Sequence, residues 1–281
     1  MRWVVCAVVV LGLAKPAAAA DLPDFDILRG SESVGPAAFT NWSGVYVGGQ
    51  ASYSDLNADF SKATSPLVAQ SLIELVLEND DHPSQWPVLG KGNTDAFGYG
   101  GFVGYNSQWQ NLILGVEGNY THSPATVMAT QSPILDRVVS AGGLGYSVNL
   151  LGTGSLTVDD YVSLRARAGY ILNNFLPYAF IGFVVGDGDY SITTQIYGQQ
   201  SSASPAVLPC TPSTTCVNYN FTNSAVKNGA LLYGFSIGGG VDWALTQQFF
   251  LRGEFEFVQF VPVNDIVLST VTGRAGVGVK F

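Results

Sequence analysis

The sequence predicts an all-β protein, an eight-stranded antiparallel up-and-down transmembrane β-barrel with long extracellular loops. Three observations point to this fold class. Eight segments alternate between apolar and polar residues, long and short connections alternate between those segments, and only 12% of the 281 residues are charged. A strand that faces lipid on one side and a polar lumen on the other has this period of two.

The first residues, MRWVVCAVVVLGLAKPAAAADLP, have the layout of a secretory signal peptide. Basic Arg2 precedes an apolar run that ends at Leu13, and a run of four alanines follows. We place the cleavage between Ala20 and Asp21. A membrane anchor is the alternative, but the apolar run is well short of the roughly 20 residues that a spanning helix needs.

The expected organisation has three parts, a signal peptide at 1–20, a periplasmic N-terminal extension at 21–41 and the barrel at 42–281. Cleavage removes Arg2 and Lys15 and no acidic residue, so the mature chain is more acidic than the net charge of −9 of the whole sequence. Binding of nucleic acid phosphates requires clustered lysine and arginine. We therefore exclude nucleic acid as a partner.

The segment YVSLRARAGYIL illustrates the alternation. Val162 and Leu164 fall on one side of the predicted strand, and Arg165 and Arg167 fall on the other. The segments FFLRGEFEFVQF and LSTVTGRAGVGVKF repeat the pattern. Each signal is weak alone, but eight in one exported chain are typical of a transmembrane barrel.

The connections between the eight segments differ in length in a regular way. Long gaps, expected to be extracellular loops, alternate with short gaps, expected to be periplasmic turns. The long gaps are predicted at 56–95, 124–156 and 193–230, and the short turns at 110–111, 173–177 and 246–248. Only the last outer connection, 261–266, is short.

Aromatic residues are predicted to mark the two membrane interfaces. A second group lies toward the long loops, and the girdle beside the short turns comprises Trp42, Trp109, Tyr170, Tyr178, Trp243, Phe249 and Phe281. A soluble lipocalin-like barrel or sandwich, with its apolar face inward, is the alternative. It is disfavoured because its outer surface would need more charge than this chain has.

An eight-stranded barrel leaves an interior just wide enough for side chains. By alternation, this interior holds charges of both signs: Arg165, Arg167, Arg252, Arg274, Lys280, Glu117, Asp242, Glu254 and Glu256. Unpaired buried charge is costly, so we expect these groups to form ion pairs that plug the lumen. A narrow porin-like channel is the alternative, although an aqueous channel normally needs a wider barrel.

Two long connections carry further features. After cleavage the remaining cysteines are Cys210 and Cys216, and in an oxidising compartment a disulfide is favoured over two free thiols. Their surroundings are polar and proline-rich, which is typical of an exposed loop that carries recognition. The first connection contains SPLVAQSLIELVLEND, for which we predict a short helix packed over the barrel mouth, with partner binding as the alternative.

Five segments carry a family resemblance: NWSGVYVGGQASY, GFVGYNSQWQNLILGVEGNY, VSLRARAGYILNNFLPYAFIG, GFSIGGGVDWALTQQFFLRGEFEFVQF and GRAGVGVKF. They resemble the strands of the alphaproteobacterial small outer-membrane β-barrels, a family that includes rhizobial RopB and the Brucella major surface antigens. The likeness covers all eight strands but not the long loops, and Val45 stands where the family usually has an aromatic residue. It implies an OmpA-like surface barrel that is associated with envelope integrity and host interaction and not with catalysis.

Some relatives in this family bind haem at the surface, and haem needs an axial ligand such as histidine. The mature chain offers His82 and His122, for which ordinary solvent-facing roles are favoured, so we expect no cofactor. We also expect no metal site and no catalytic site. A lipid esterase is disfavoured because Ser123 directly follows His122, and neighbours on a strand point to opposite faces.

The expected role is that of an integral outer-membrane surface protein, which contributes to envelope integrity and to interaction with a host or the environment. Its expected partners are outer-membrane lipid, lipopolysaccharide and the outer-membrane assembly machinery, with a host surface or haem at the loops as a further option. Phe281 continues the lipid-facing row of the last strand at the periplasmic interface. Its position resembles the terminal aromatic signal that the assembly machinery reads.

Overall fold

The computed structural model describes residues 41–73, 75–130, 135–201 and 216–281. Most of them lie in nine strands: β1 (Gly44–Asp59), β2 (Lys91–Trp109), β3 (Leu112–Thr130), β4 (Leu135–Ala141), β5 (Leu144–Tyr170), β6 (Phe175–Ser201), β7 (Cys216–Ala244), β8 (Phe249–Phe260) and β9 (Val267–Lys280). Between β1 and β2 lie α1 (Ser65–Leu72), α2 (Val76–Asp81) and a 3₁₀ turn (Pro83–Gln85). Among the described residues, no helix is long and apolar enough to cross a membrane.

Eight of the strands close into an antiparallel ring. The hydrogen-bonded order is β3-β2-β1-β9-β8-β7-β6-β5, and the pairing of β3 with β5 joins the two ends. The predicted eight-stranded barrel is therefore confirmed. The ninth strand, β4, pairs with β5 over residues 144–150, beyond the part of β5 that pairs with β3.

Two of the predicted long loops are wrong in large part, because the strands continue through them. β3 runs on to Thr130 and β5 begins at Leu144, within the predicted gap at 124–156. β6 runs on to Ser201 and β7 begins at Cys216, within the predicted gap at 193–230. The alternation of inward apolar and outward polar residues persists there, so the sheet extends beyond the membrane.

The predicted alternation holds at the level of single side chains. On β5, Leu164 is 64% exposed on the outer surface, while the neighbouring Arg165 is 1% exposed inside the ring. Strand pairs are joined by tight turns where the sequence predicts them, and Asn173 in one of them has a φ of 56°. Asparagine tolerates this left-handed conformation better than most residues.

The first long connection folds as predicted into helical structure, although it forms two short helices and not one. Leu67 and Leu72 of α1 and Leu77 of α2 are buried. They pack against the extended parts of β5 and β6, including Val148 and Ile196. We call α1, α2 and the 3₁₀ turn the helical cap.

Some predictions fall outside the described residues. These are the signal peptide, its cleavage between Ala20 and Asp21, the extension before residue 41, and Cys210. Cys216 is disulfide-bonded. Its pairing with Cys210 stays a prediction.

Candidate functional site

The interior of the ring at membrane height holds eight of the nine charged residues that the alternation assigns to it, and the ninth, Lys280, lies nearer the periplasmic end. All eight are buried, with at most 6% of any of them exposed. We call this set the ionic layer: Arg165, Arg167, Arg252, Arg274, Glu117, Asp242, Glu254 and Glu256. Four positive and four negative groups leave the layer with no formal net charge.

The half of the ionic layer nearer the short turns is organised around Arg252. Its Nη1 lies 2.7 Å from Oε2 of Glu117, and its Nε lies 2.8 Å from Oδ1 of Asp242. Arg167 approaches the same two acids, with its Nη2 2.7 Å from Oδ2 of Asp242. The hydroxyl of Tyr46 donates to Oε2 of Glu117 at 2.8 Å. Each carboxylate therefore has more than one donor.

The other half is organised around two glutamates of β8. Arg165 bridges them, with Nη1 2.7 Å from Oε1 of Glu254 and Nη2 2.7 Å from Oε1 of Glu256. Arg274 contacts the same pair at 3.1 Å and 2.5 Å, and its Nη2 also donates to the hydroxyl of Tyr161 at 2.8 Å. The two halves join where Nη1 of Arg165 lies 3.5 Å from Oε1 of Glu117.

Aromatic rings enclose the arginines and keep them from water. Arg252 lies over the ring of Phe102, 4.0 Å from its centroid, and Arg167 lies 3.8 Å from the centroid of Tyr178. Cation–π contacts strengthen when the cation is desolvated. The hydroxyl of Tyr178 also donates to Oε2 of Glu254 at 2.9 Å. The prediction that Tyr178 lies in the lipid-facing girdle is wrong, because its side chain is buried inside the ring. The sequence predicts no role for Tyr46, although Tyr46 falls on the lumen-facing row of β1.

Below the ionic layer, toward the short turns, a cluster of buried side chains fills the ring. We call it the aromatic floor: Trp42, Tyr46, Phe102, Ile113, Ile171, Leu176, Ala244 and Phe250. Glycine makes room for two of its rings, because a Cβ at Gly48 would clash with Phe102 and a Cβ at Gly278 would clash with Phe250.

The assignment of Trp42 to the lipid-facing girdle is wrong. This side chain is 1% exposed and packs edge-on against Phe250, with ring centroids 5.9 Å apart. Lys280, which the alternation places in the lumen, lies with its Nζ 4.0 Å from the Trp42 ring centroid and donates to the carbonyl of Asn41 at 2.9 Å. Trp42 therefore closes the periplasmic end from the inside.

Apart from Tyr178, the other aromatic residues of that girdle do lie on the outer surface. Trp109, Trp243 and Phe249 are exposed at the strand ends beside the short turns, and Trp243 stacks on Phe175 at a centroid distance of 5.8 Å. Phe281 is also exposed, and its backbone N–H donates to the carbonyl of Val45 at 2.9 Å. The role of Phe281 as an assembly signal stays a prediction.

Above the ionic layer the interior changes from charged to apolar. A large cluster of buried side chains fills the upper ring, and its members include Leu56, Phe60, Leu156, Val258 and Phe260. We call this cluster the apolar layer. The helical cap lies over the apolar layer, and Leu67 of α1 belongs to the same buried cluster as Phe60. The interior therefore holds packed side chains from the aromatic floor to the helical cap.

The two histidines lie in different surroundings. Nδ1 of His122 is 2.7 Å from Oδ1 of Asp160, which also accepts from the hydroxyl of Tyr120 at 2.7 Å. Ser123 is buried and lies on the other side of β3 from His122, as the alternation predicts. His82 ends α2 in a left-handed conformation. Within the described ranges, no group of three or more His, Cys, Asp or Glu side chains is placed to hold a metal ion.

A closed antiparallel ring with a lipid-compatible outer face defines an outer-membrane β-barrel. The family model for the outer membrane protein beta-barrel domain matches residues 28–281. The chain belongs to this family, and it is a protein of the bacterial outer membrane. The matched family is described as a barrel domain, and that description names no enzymatic activity. No protein of curated function matches the chain.

Several solved structures are similar to this chain. Neisserial surface protein A (NspA) is 15% identical over 85% of this chain and 98% of its own, with a TM-score of 0.36. OprG from Pseudomonas aeruginosa is 11% identical over 85% and 96%, with a TM-score of 0.40. Ail, the attachment invasion locus protein of Yersinia pestis, is 12% identical over 85% and 99%, with a TM-score of 0.28. These likenesses add nothing about function.

Proposed function

We propose that this protein is a closed barrel that contributes to the integrity of the outer membrane and presents an extended surface for interaction with a host or the environment. The observation that carries the proposal is the ionic layer. Its eight charges come from five strands, β3, β5, β7, β8 and β9, and their ion pairs cross the ring in several directions. A solute would have to break several of these contacts at once.

The energetics favour a closed state. Removing one partner of a buried ion pair costs about 3–5 kcal/mol, because the other charge stays buried and unpaired. The aromatic floor and the apolar layer add two further barriers, which offer few polar groups to replace the hydration of a passing ion. A narrow porin-like channel, the rival function, would require water to cross all three layers.

The partners follow from the outer surface. The apolar outward row at membrane height would contact lipid and lipopolysaccharide, and the strand ends would contact the assembly machinery during insertion. The family resemblance to alphaproteobacterial surface barrels supports the envelope and host roles. Haem binding through His82 or His122 stays a hypothesis, and a Soret shift on addition of hemin that is lost in His82→Ala or His122→Ala would support it.

Conductance measurements on the refolded full chain in planar bilayers test the closed state. We expect no steady openings from the wild-type protein. Arg252→Ala, which removes a shared partner of Glu117 and Asp242, should produce openings or noise, whereas Leu164→Ala on the lipid-facing side should behave as the wild type. Large, steady wild-type openings would contradict the proposal and favour the channel.

A further inference from the structure

The upper part of β7 is a strand with one open edge. From Gly234 onward β7 pairs with β6 on one side and β8 on the other, but residues 217–226 pair only with β6. Among the described residues, none forms a backbone hydrogen bond with the opposite edge of this stretch. An open edge presents unpaired N–H and C=O groups, which can accept a further strand.

This edge lacks the charged residues and prolines that usually prevent an edge strand from pairing with another chain. Residues 217–226 read VNYNFTNSAV, with no charged residue and no proline. Most of the stretch is solvent-exposed, with Val217 at 61% and Val226 at 63%. Val226 lies seven residues beyond Tyr233 of the outer aromatic group, roughly 20 Å along the strand, so the open edge stands clear of the membrane.

The two faces of the stretch differ in character. The inward row is mainly apolar or aromatic, with Tyr219 and Phe221 stacked at a centroid distance of 6.1 Å. Apart from Val226, the outward row consists of small uncharged polar residues, three of which hydrogen-bond across to β6. An added strand should therefore be apolar on one side and polar without charge on the other.

A second copy of the same stretch has this alternation. Two copies of an acidic chain repel each other over most of their surfaces, but not along a stretch without charge. A two-fold axis perpendicular to the sheet would pair the two edges antiparallel and keep both apolar rows on the same side.

The antiparallel symmetry decides whether the second copy lies in the same membrane or in a facing one. Two copies in one membrane both point outward, so their strands could meet only in a parallel sense, with the apolar row of one beside the polar row of the other. Antiparallel pairing needs copies that point toward each other. We propose that residues 217–226 form an edge-to-edge contact between two copies in apposed membranes, centred on Thr222, which would join cells or vesicles.

The test uses the refolded full chain in phosphatidylcholine vesicles of two fluorescent colours, with vesicle clustering as the readout. We expect the wild-type protein to cluster the vesicles. Thr222→Lys places a charge in the outward row at the edge and should reduce clustering at least about fivefold, because like charges directly opposite each other repel. Thr153→Lys is the matched control, since Thr153 is exposed on the same sheet face but on a central strand.

Charge complementation distinguishes edge pairing from a general effect of the substitutions. Vesicles with Thr222→Lys mixed with vesicles with Thr222→Glu should cluster again, while each variant alone should not. Heat-modifiable migration on gels checks that every variant is folded. Absence of clustering by the wild type, clustering by Thr222→Lys alone, or failure of the mixture to cluster would each overturn the proposal. None of these outcomes bears on whether the lumen conducts.

Discussion

The membrane half of β5, residues 160–170, and its outer half, residues 144–158, have opposite arrangements of polar and apolar side chains. In the membrane half, Leu164 points outward and Arg165 points into the ring. In the outer half, Leu156 points inward and is fully buried, while Thr153 points outward and is exposed. A register shift between Val158 and Asp160 separates the two halves.

The contrast between the two halves shows that different forces stabilise them. The hydrophobic effect drives apolar side chains inward only where the outside is water, as it is around the outer half. In lipid there is no such force, because the lipid tails are as apolar as leucine, and packing and polar contacts must supply the stability. The ionic layer therefore lies at membrane height, and the apolar layer lies above it.

The largest expected effect concerns the ionic layer. Arg252→Met should lower the free energy of unfolding by about 3–5 kcal/mol, because Glu117 and Asp242 lose a shared partner while they stay buried. Guanidinium titration of the protein in lipid vesicles measures this change. Lys227→Met, which removes an exposed cation, is the control and should change the value by at most about 0.5 kcal/mol. Equal losses in the two variants would contradict the role assigned to the ion pairs.

The apolar layer should respond locally. Leu156→Ala should cost about 2–5 kcal/mol, through lost burial and the cavity left behind. We expect hydrogen exchange to accelerate at the amides of the outer half of β5 and to stay slow at the level of the ionic layer. Leu164→Ala, at a lipid-facing position of the same strand, should leave the outer half unchanged. Acceleration in both halves by Leu156→Ala would show that they open as one unit.

The outer surface provides a smaller effect that compares the two surroundings directly. Ile181 and Gln195 lie in the same outward row of β6, on either side of the change in chemistry. Ile181→Lys should cost about 2–4 kcal/mol, because the charge enters lipid. Gln195→Lys should stay within about 0.5 kcal/mol, because that position faces water. Similar costs, measured by the same guanidinium titration, would place both positions in one environment.

The membrane half could be predicted from the sequence because lipid and lumen impose opposite chemistry on neighbouring residues. Alternation alone assigned Arg165 and Glu254 to the interior, where the structure places them in contact. It could not assign which arginine pairs with which acid, because that depends on the stagger between strands. The buried tyrosines were missed because an aromatic residue is compatible with either side of a barrel wall.

The extended strands of the outer half could not be predicted in the same way, because runs of polar residues beyond the membrane are also typical of loops. The same period of two is present in the sequence there, with Ile192 and Ile196 inward and Thr193 and Gln195 outward. Trp42 was placed wrongly for another reason. It precedes the first residue of β1, Gly44, so the alternation of the strand does not decide its direction.

The account depends most on the claim that continuous strands pass from lipid into water and keep their alternation of inward and outward side chains. Nitroxide labels at single cysteines at successive positions of β6, from Ala179 to Gln195, test it directly; Cys216 is disulfide-bonded and should not react with the label. Collision with oxygen should dominate up to Val185, and collision with a water-soluble nickel complex should dominate from Ser191 onward, with a period of two throughout. Loss of that period beyond Asp187, or lipid-like accessibility at Gln195, would contradict the account.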